Sequence, residues 1–425
     1  MTAGRLGSVV YGLRHLRRAP DLDTLRAAGS PEELARLALI PAARNLGVAV
    51  SFLSAGHRAE ATAALLACRV LDAYEDLIDR PLASSAVRTA VGYLNGDVDT
   101  PPPLLHAVAV RDSEAVDLVL AERIRDVRAL LAALPAEGRE RVGRMLVDVG
   151  EVMARNLESP LSRTAYSEGV LGRVVLHACT LVAEDAGAEV EAELGELAGC
   201  VGVTAQLAND LRDNELEIYG VADRAELTRA VMLRLLAPAL GCFALLARMR
   251  PRTPSAGARA AMAYMAITTT AFLCGTVDAP APYPRRLRLG ASMLAACSPR
   301  YWATMQRRVL GSVDAAIHQL LESSPDLAAG TIEAPDVLTL TDSRPLATTM
   351  APLVVDTTFA LVRALPEAPL TGELAGTEVR RMMVADHLAF AALERIPPRD
   401  ADAMQALAMR FQLAALDVPT KGGRL

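Results

Sequence analysis

The segment "AEATAALLACRVLDAYEDLID" (59–79) limits what this chain can become more than any other stretch. Ala, Leu, Val and Cys recur through it at helical spacing and cover most of the helix circumference, so it reads as an interior helix. Its last third nevertheless carries Asp72, Glu75, Asp76 and Asp79. An unpaired carboxylate is too poorly solvated in an apolar interior to stay there without partners. Either this stripe faces water, or it holds something.

The rest of the sequence supplies the scaffold. With 425 residues, 52% of them hydrophobic, the chain can build a large core as one long domain or two. No run of alternating β-branched residues and no βαβ rhythm occurs, so the expectation is an all-α protein. Breaks fall at 97–103, 250–257, 278–284 and 323–326, where Pro, Gly, Ser and Asp cluster. Between them lie helical patterns of roughly 15 to 30 residues, as in a helical bundle. "GRERVGRMLVDVGEVMARNL" (138–157) and "AELGELAGCVGVTAQLANDLRDNELEIYG" (192–220) are two of these. Beyond about 280 the pattern weakens, interrupted by Pro345, Pro352, Pro366 and Pro369. The natural division is a patterned part, 1–278, and an extension, 279–425, whose role does not follow from its residues.

Charge and cysteines exclude several classes. Net charge is −6, and the 44 Lys and Arg are scattered, so nucleic acid is not an expected partner. Cysteines stand at 68, 179, 200, 242, 274 and 297, with no CxxC pair. Reduced, buried thiols in a cytoplasmic protein account for them, rather than zinc or disulfides. The first residues, "MTAGRLGSVVYGLRHLRRAP", lack the apolar core of a signal peptide. They can form a basic helix with Leu6, Val9, Leu13 and Leu16 on one side; an ordinary first helix is preferred over membrane-surface docking, which stays open. The uncharged run 260–277 is barely long enough to span a bilayer and reads as a core helix. "RRLR" (285–288) reads as a solvated loop, with phosphate binding as the alternative. His177 and His387 read as packed or surface histidines, and Phe52, Leu53, Leu65 and Val170 as core before pocket lining.

Placed on a helix, the carboxylates align. With Asp72 at zero, Glu75 falls near 300°, Asp76 near 40° and Asp79 near 340°, all within about a 100° sector. Like charges on one stripe repel. "QLANDLRDNELE" (206–217) repeats the geometry: Asp210, Asp213, Asn214 and Glu217 hold the same relative angles, and Gln206 joins them. Oxygen ligands at such spacing suit hard cations, Mg²⁺ above all. Mg²⁺ takes only one or two carboxylates from each helix and shares its shell with water and phosphate oxygens. Two such helices facing each other would hold a diphosphate, with Arg69 and Arg212 on the remaining phosphate oxygens.

At this point the sequence resembles the squalene/phytoene synthase family, within the class I terpenoid synthases. Ser51, Phe52, Arg58, Cys68, Arg69, Asp72 and Asp76 stand where that family has its Ser-Phe start, a downstream Arg and a Cys-Arg-x-x-Asp-x-x-x-Asp block. Tyr166, Val170, Gly172 and Val174 match its Tyr-x-x-x-Val-Ala-Gly-x-Val-Gly block. Gln206, Asn209, Arg212 and Asp213 match its Gln-x-x-Asn-x-x-Arg-Asp block. The blocks occur in the family's order and span about residues 40–275. The resemblance implies an all-α bundle with a central cavity, capped by Mg²⁺ and diphosphate. Asp72, Asp76 and Asp213 then take metal, and Tyr166 serves proton handling or cation stabilisation. Ser51, Phe52, Arg58 and Gln206 fall at substrate-binding places. The substrate is an isoprenyl diphosphate; NADPH use and oligomeric state stay open.

The departures matter. Glu217 stands where the family usually has Asp, and the following Arg-x-Tyr-Leu-Pro stretch is not recognisable. The second block also resembles the Asn-Asp-x-x-Ser-x-x-x-Glu motif of class I terpene cyclases, through Asn209, Asp213 and Glu217 at i, i+4 and i+8. "EDLID" (75–79) approximates their Asp-Asp-x-x-Asp. Arg163 and the pair Arg300–Tyr301 stand near cyclase-like places. The expected activities are therefore head-to-head coupling of two allylic diphosphates, with cyclisation of one as the alternative. A non-catalytic helical assembly protein on this fold is the third reading.

Overall fold

The structure is a computed structural model. It describes residues between 9 and 322, apart from 10–11, 14–15, 17, 105–106, 108, 110, 162, 184–187, 235–241, 243–244 and 247–248. The described residues contain helices and no strand, as the missing β rhythm predicts. The 323–425 part of the extension and His387 lie outside them, as does Leu6.

The described residues pack as two compact units, one drawn from positions up to 186 with 254–265, the other from positions between 187 and 253 with 266–322. The first unit contains α1 (Leu22–Arg26), α2 (Pro31–Val50), α3 (Ala55–Asp76), α4 (Arg80–Asn95), α5 (Asp112–Glu122), α6 (Ile124–Ala132), α7 (Ala136–Glu158) and α8 (Arg163–Ser167). A π-helical turn, Glu168–Gly172, joins α8 to α9 (Arg173–Val182). The second unit contains α10 (Ala188–Asp213), α11 (Leu216–Tyr219), α12 (Arg224–Arg234), a 3₁₀ turn (Arg285–Leu287), α14 (Arg288–Cys297) and α15 (Pro299–Glu322). The intervening α13 (Ala256–Thr276) begins in the first unit and ends in the second. It contains nearly all of the uncharged run 260–277, and no helix among the described residues is long and apolar enough to cross a membrane.

Local chemistry sets the boundaries. Ser30 caps α2 by accepting from the Glu33 N–H, with Pro31 pre-set for the first turn. Ser54 caps α3 through the His57 N–H. Gly96, at φ 90°, ends α4 in the left-handed conformation that glycine adopts without a Cβ clash.

α3 is the axis of the first unit, packed by α2, α4, α5, α6 and α7. Leu66, Val70, Leu71 and Tyr74 on it are fully enclosed, and truncating one such side chain costs about 2 to 5 kcal/mol. Tyr74 keeps its hydroxyl satisfied by donating to the Pro102 carbonyl at 2.9 Å.

Two expected stripes are shorter than the sequence implies. α3 ends at Asp76; Leu77 caps it and Asp79 becomes the residue before α4, exposed and off the stripe. α10 ends at Asp213, because Asn214 turns left-handed at φ 60°. Glu217 therefore sits on α11 rather than one turn further along the helix of Asn209 and Asp213. The expected buried thiols are found at Cys68, Cys179, Cys200 and Cys274; Cys242 is half-buried and Cys297 exposed.

Candidate active site: two acidic faces

Because α3 is enclosed on nearly every side, its open sector decides what it can hold. Arg69, Asp72 and Asp76 occupy that sector. Arg69 Nη1 donates to Asp72 Oδ2 at 2.6 Å. Its Nε donates at 2.8 Å to Asp117 Oδ1 on α5, and its Nη2 to Asp117 Oδ2. Arg69 thus bridges two carboxylates in a bidentate and a single contact, the arrangement that suits a planar guanidinium.

The sector is over-supplied with negative charge. Burial, which outweighs the help of Arg69, pushes Asp117 up to about 7. Protein packed around Asp76 thins the water about its carboxylate, although the residue keeps an open side, and with repulsion from Asp72 pushes it up to about 7. Asp72 is raised by burial against the opposing pull of Arg69. Burial works against the Arg69 charge, yet Asp72 and Asp117 hold it firmly protonated.

Glu75 and Tyr166 flank this sector. The Tyr166 hydroxyl donates to Glu75 Oε2 at 2.7 Å, and Asn156 hydrogen-bonds the same carboxyl. Burial and the charge of Asp76 push Glu75 up to about 8 despite those bonds. Burial and the neighbouring carboxylates hold the Tyr166 phenol well above its ordinary range. The Arg163 guanidinium lies 5.5 Å from the Tyr166 ring centre. The π turn after Tyr166 brings Gly169 against Val152 of α7, where a Cβ would stand 2.7 Å from a Val152 methyl. That close approach positions the Tyr166 helix on the acidic sector, and π turns often mark functional segments.

The donor set suits a hard cation in part. Asp72 and Asp76 are oxygen donors one turn apart; burial raises the proton affinity of both, repulsion from Asp72 adds to it at Asp76, and a cation beside them would favour the charged forms. Among the described residues no three His, Cys, Asp or Glu side chains converge into a ready cage. A protein contribution of one or two carboxylates, completed by water and phosphate, is the usual arrangement for Mg²⁺.

The second unit carries the other face. Asp210 is turned inward, 1% exposed. It accepts from Gln206 Nε2 at 2.9 Å and from the Tyr219 hydroxyl at 2.6 Å. Gln206 and Asp210 are therefore spent on fixing α11 against α10. Arg212 donates to Asn209 Oδ1 at 2.6 Å and lies 5.3 Å from the Phe272 ring centre. Asp213 and Glu217 are exposed.

Other expected residues stand apart. Ser51 is buried and donates to the Gly47 carbonyl at 3.1 Å. Phe52 is buried with its ring 5.9 Å from that of Tyr264. Arg58 lies at the start of α3, about 27 Å along the helix axis from Asp76 at 1.5 Å per residue. These three do not join the Asp72–Asp76 sector. Arg300 and Tyr301 are exposed at the start of α15.

Asp117 and Asn156 were not legible as site residues. The signal for Asp117 is the one carried by α3, a lone carboxylate among apolar neighbours; Val116, Val119 and Leu120 around it are buried. "DSEAVDLVL" contains no motif that singles it out.

Comparison with solved structures identifies the fold of this helical chain. The chain has a squalene synthase-like terpenoid synthase fold. It is similar to a squalene synthase structure titled "The complex structure of TcSQS with ligand, E5700", with a TM-score of 0.51 and 13% identity over 72% of this chain and 98% of that one. No protein-family profile and no curated protein matches the sequence.

Proposed function

We propose that the protein ionises an allylic isoprenyl diphosphate, farnesyl or geranylgeranyl, and couples two of them head-to-head into a squalene- or phytoene-like product. One observation carries the reading: Asp72 and Asp76 project from an otherwise enclosed helix with more negative charge than Arg69 offsets, on a squalene synthase-like fold. Mg²⁺, when bound, neutralises charge on the leaving diphosphate. Asp72 and Asp76 would hold it on the first unit, and Asn209 and Asp213, at the end of α10, are proposed as a further set of oxygen ligands on the second.

Ionisation breaks the C1–O bond, and the electron pair leaves with the diphosphate. Arg69 fixes Asp72 for this step, with Asp117 fixing Arg69 in turn. Arg212, which donates to Asn209 and lies against the Phe272 ring, is the proposed partner of the phosphate oxygens on the second unit. Coupling closes a cyclopropane and releases one proton. Tyr166 Oη takes it while passing its own proton to Glu75 Oε2, leaving Tyr166 unchanged and Glu75 neutral. Only ionised Glu75 can take this proton, and with its carboxyl raised to about 8 by burial and Asp76 that form grows as the pH rises from 7 toward 8.

The cyclase alternative draws on Asn209, Asp213 and Glu217 as one helical stripe. The break at Asn214 removes that continuity, which favours coupling.

The test is incubation of the full chain with Mg²⁺ and C15 or C20 allylic diphosphates, with and without NADPH. A C30 or C40 product is expected. A cyclic C15 or C20 product would replace coupling by cyclisation, and absence of diphosphate release would leave only the assembly reading. Asp76→Asn is expected to lower kcat/KM by about 100-fold or more, given the size of single electrostatic contributions at such centres.

A further inference from the structure

We propose that α14 and the 3₁₀ turn before it form a docking surface for an anionic lipid membrane. The observation is an inverted helix. An ordinary surface helix turns its large apolar side chains inward. α14 turns Ser292, Ala295 and Ala296 inward and leaves Gly290, Met293, Leu294 and Cys297 outward. Those outward positions fall within about a 100° sector. Leu287 is 53% exposed, Met293 41%, Leu294 54% and Tyr301 51%; the other large exposed apolar side chains among the described residues are scattered.

Charge decides the occupant. Between Asp278 and Asp314 the sequence has Arg285, Arg286, Arg288, Arg300, Arg307 and Arg308 and no acidic residue, in a chain of net charge −6. Arg285, Arg286, Arg300 and Arg308 are exposed. Arg288 is anchored by donating to the Tyr283 carbonyl at 3.2 Å, and Arg308 lies 4.9 Å from the Tyr283 ring centre. A second copy of this chain would set the same arginines against one another across a two-fold interface. A continuous anionic surface satisfies the exposed Arg285, Arg286 and Arg300 while the outward Leu and Met side chains enter the acyl boundary. The helix lies on the membrane rather than crossing it, in keeping with its ten-residue length.

The test is cosedimentation of the full chain with phosphatidylcholine vesicles, with and without about 30% phosphatidylglycerol, at about 0.1 and 0.5 M salt. Binding to the anionic vesicles is expected to exceed binding to the neutral ones by about 10-fold or more and to weaken at high salt. Arg285→Gln and Arg286→Gln should each weaken it by about 5-fold. Met293→Ser with Leu294→Ser should weaken it at both salt concentrations. Equal binding to both vesicle types, or unaltered binding by these variants, overturns the proposal. So does a wild-type dimer that Leu294→Asp converts to monomer without any vesicle binding.

Discussion

Asp117 of α5 takes two N–H groups of Arg69 on α3, leaving Nη1 of the same guanidinium to Asp72. The pair joins residues 48 positions apart. It makes the orientation of a proposed metal ligand depend on a side chain that is itself buried.

Asp117→Asn keeps the shape and removes the charge. Partners that orient a metal ligand typically contribute 10- to 100-fold, so kcat/KM is expected to fall by about that much. Arg69 then leans further on Asp72, so the Mg²⁺ concentration for half-maximal rate should rise. Loss of stability with an unchanged Mg²⁺ requirement would make Asp117 a structural partner only.

Tyr166→Phe separates the two proposed chemical steps. Its hydroxyl is the donor to Glu75, and the ring is unchanged in the variant. Diphosphate release is expected to persist while coupled product falls by about 100-fold, the usual size of an acid–base contribution. Parallel loss of both would show that Tyr166 acts before ionisation.

His177 on α9 predicts an acid limb of stability. Its Nε2 is buried, lacks a hydrogen-bond partner and stands 3.8 Å from Glu60 Oε1. Burial lowers the imidazole to about 4, against the attraction of Glu60 and with the repulsion of Arg141. The unfolded chain takes up this proton below about 6.5 and the folded chain only near 4. Stability is therefore fully present above pH 6.5 and lost as the pH falls toward 4, by up to about 3 kcal/mol. Urea unfolding at pH 7 and pH 5 should show a smaller drop for His177→Leu than for the wild type; equal drops would clear His177 of the effect.

Gly257 is predicted to tolerate no side chain. A Cβ there would stand 2.2 Å from the Phe52 carbonyl oxygen, which is backbone and cannot rotate away. Gly257→Ala should destabilise by about 1 to 3 kcal/mol. Gly275→Ala, on the same helix with nothing within 4 Å, is the control and should be neutral or stabilising by up to about 1 kcal/mol. Equal Tm values for the two variants would contradict the predicted clash.

Sequence alone determined the helical class and the position of the acidic sector, because both are periodic. Apolar spacing on α3 announces an interior helix, and Asp72 and Asp76 announce themselves by violating it. Spacing carries no information about where a helix stops. Asp79 and Glu217 looked like members of their stripes, and the Leu77 cap and the left-handed Asn214 removed them. Nor does spacing disclose partners from distant segments. Asp117 reaches Arg69, and Tyr166 reaches Glu75, because helices far apart in sequence pack round α3. Tertiary packing decided the electrostatics for the same reason. Enclosure withdraws water from these carboxylates, and only enclosure turns an ordinary acidic stripe into groups that hold protons near neutrality.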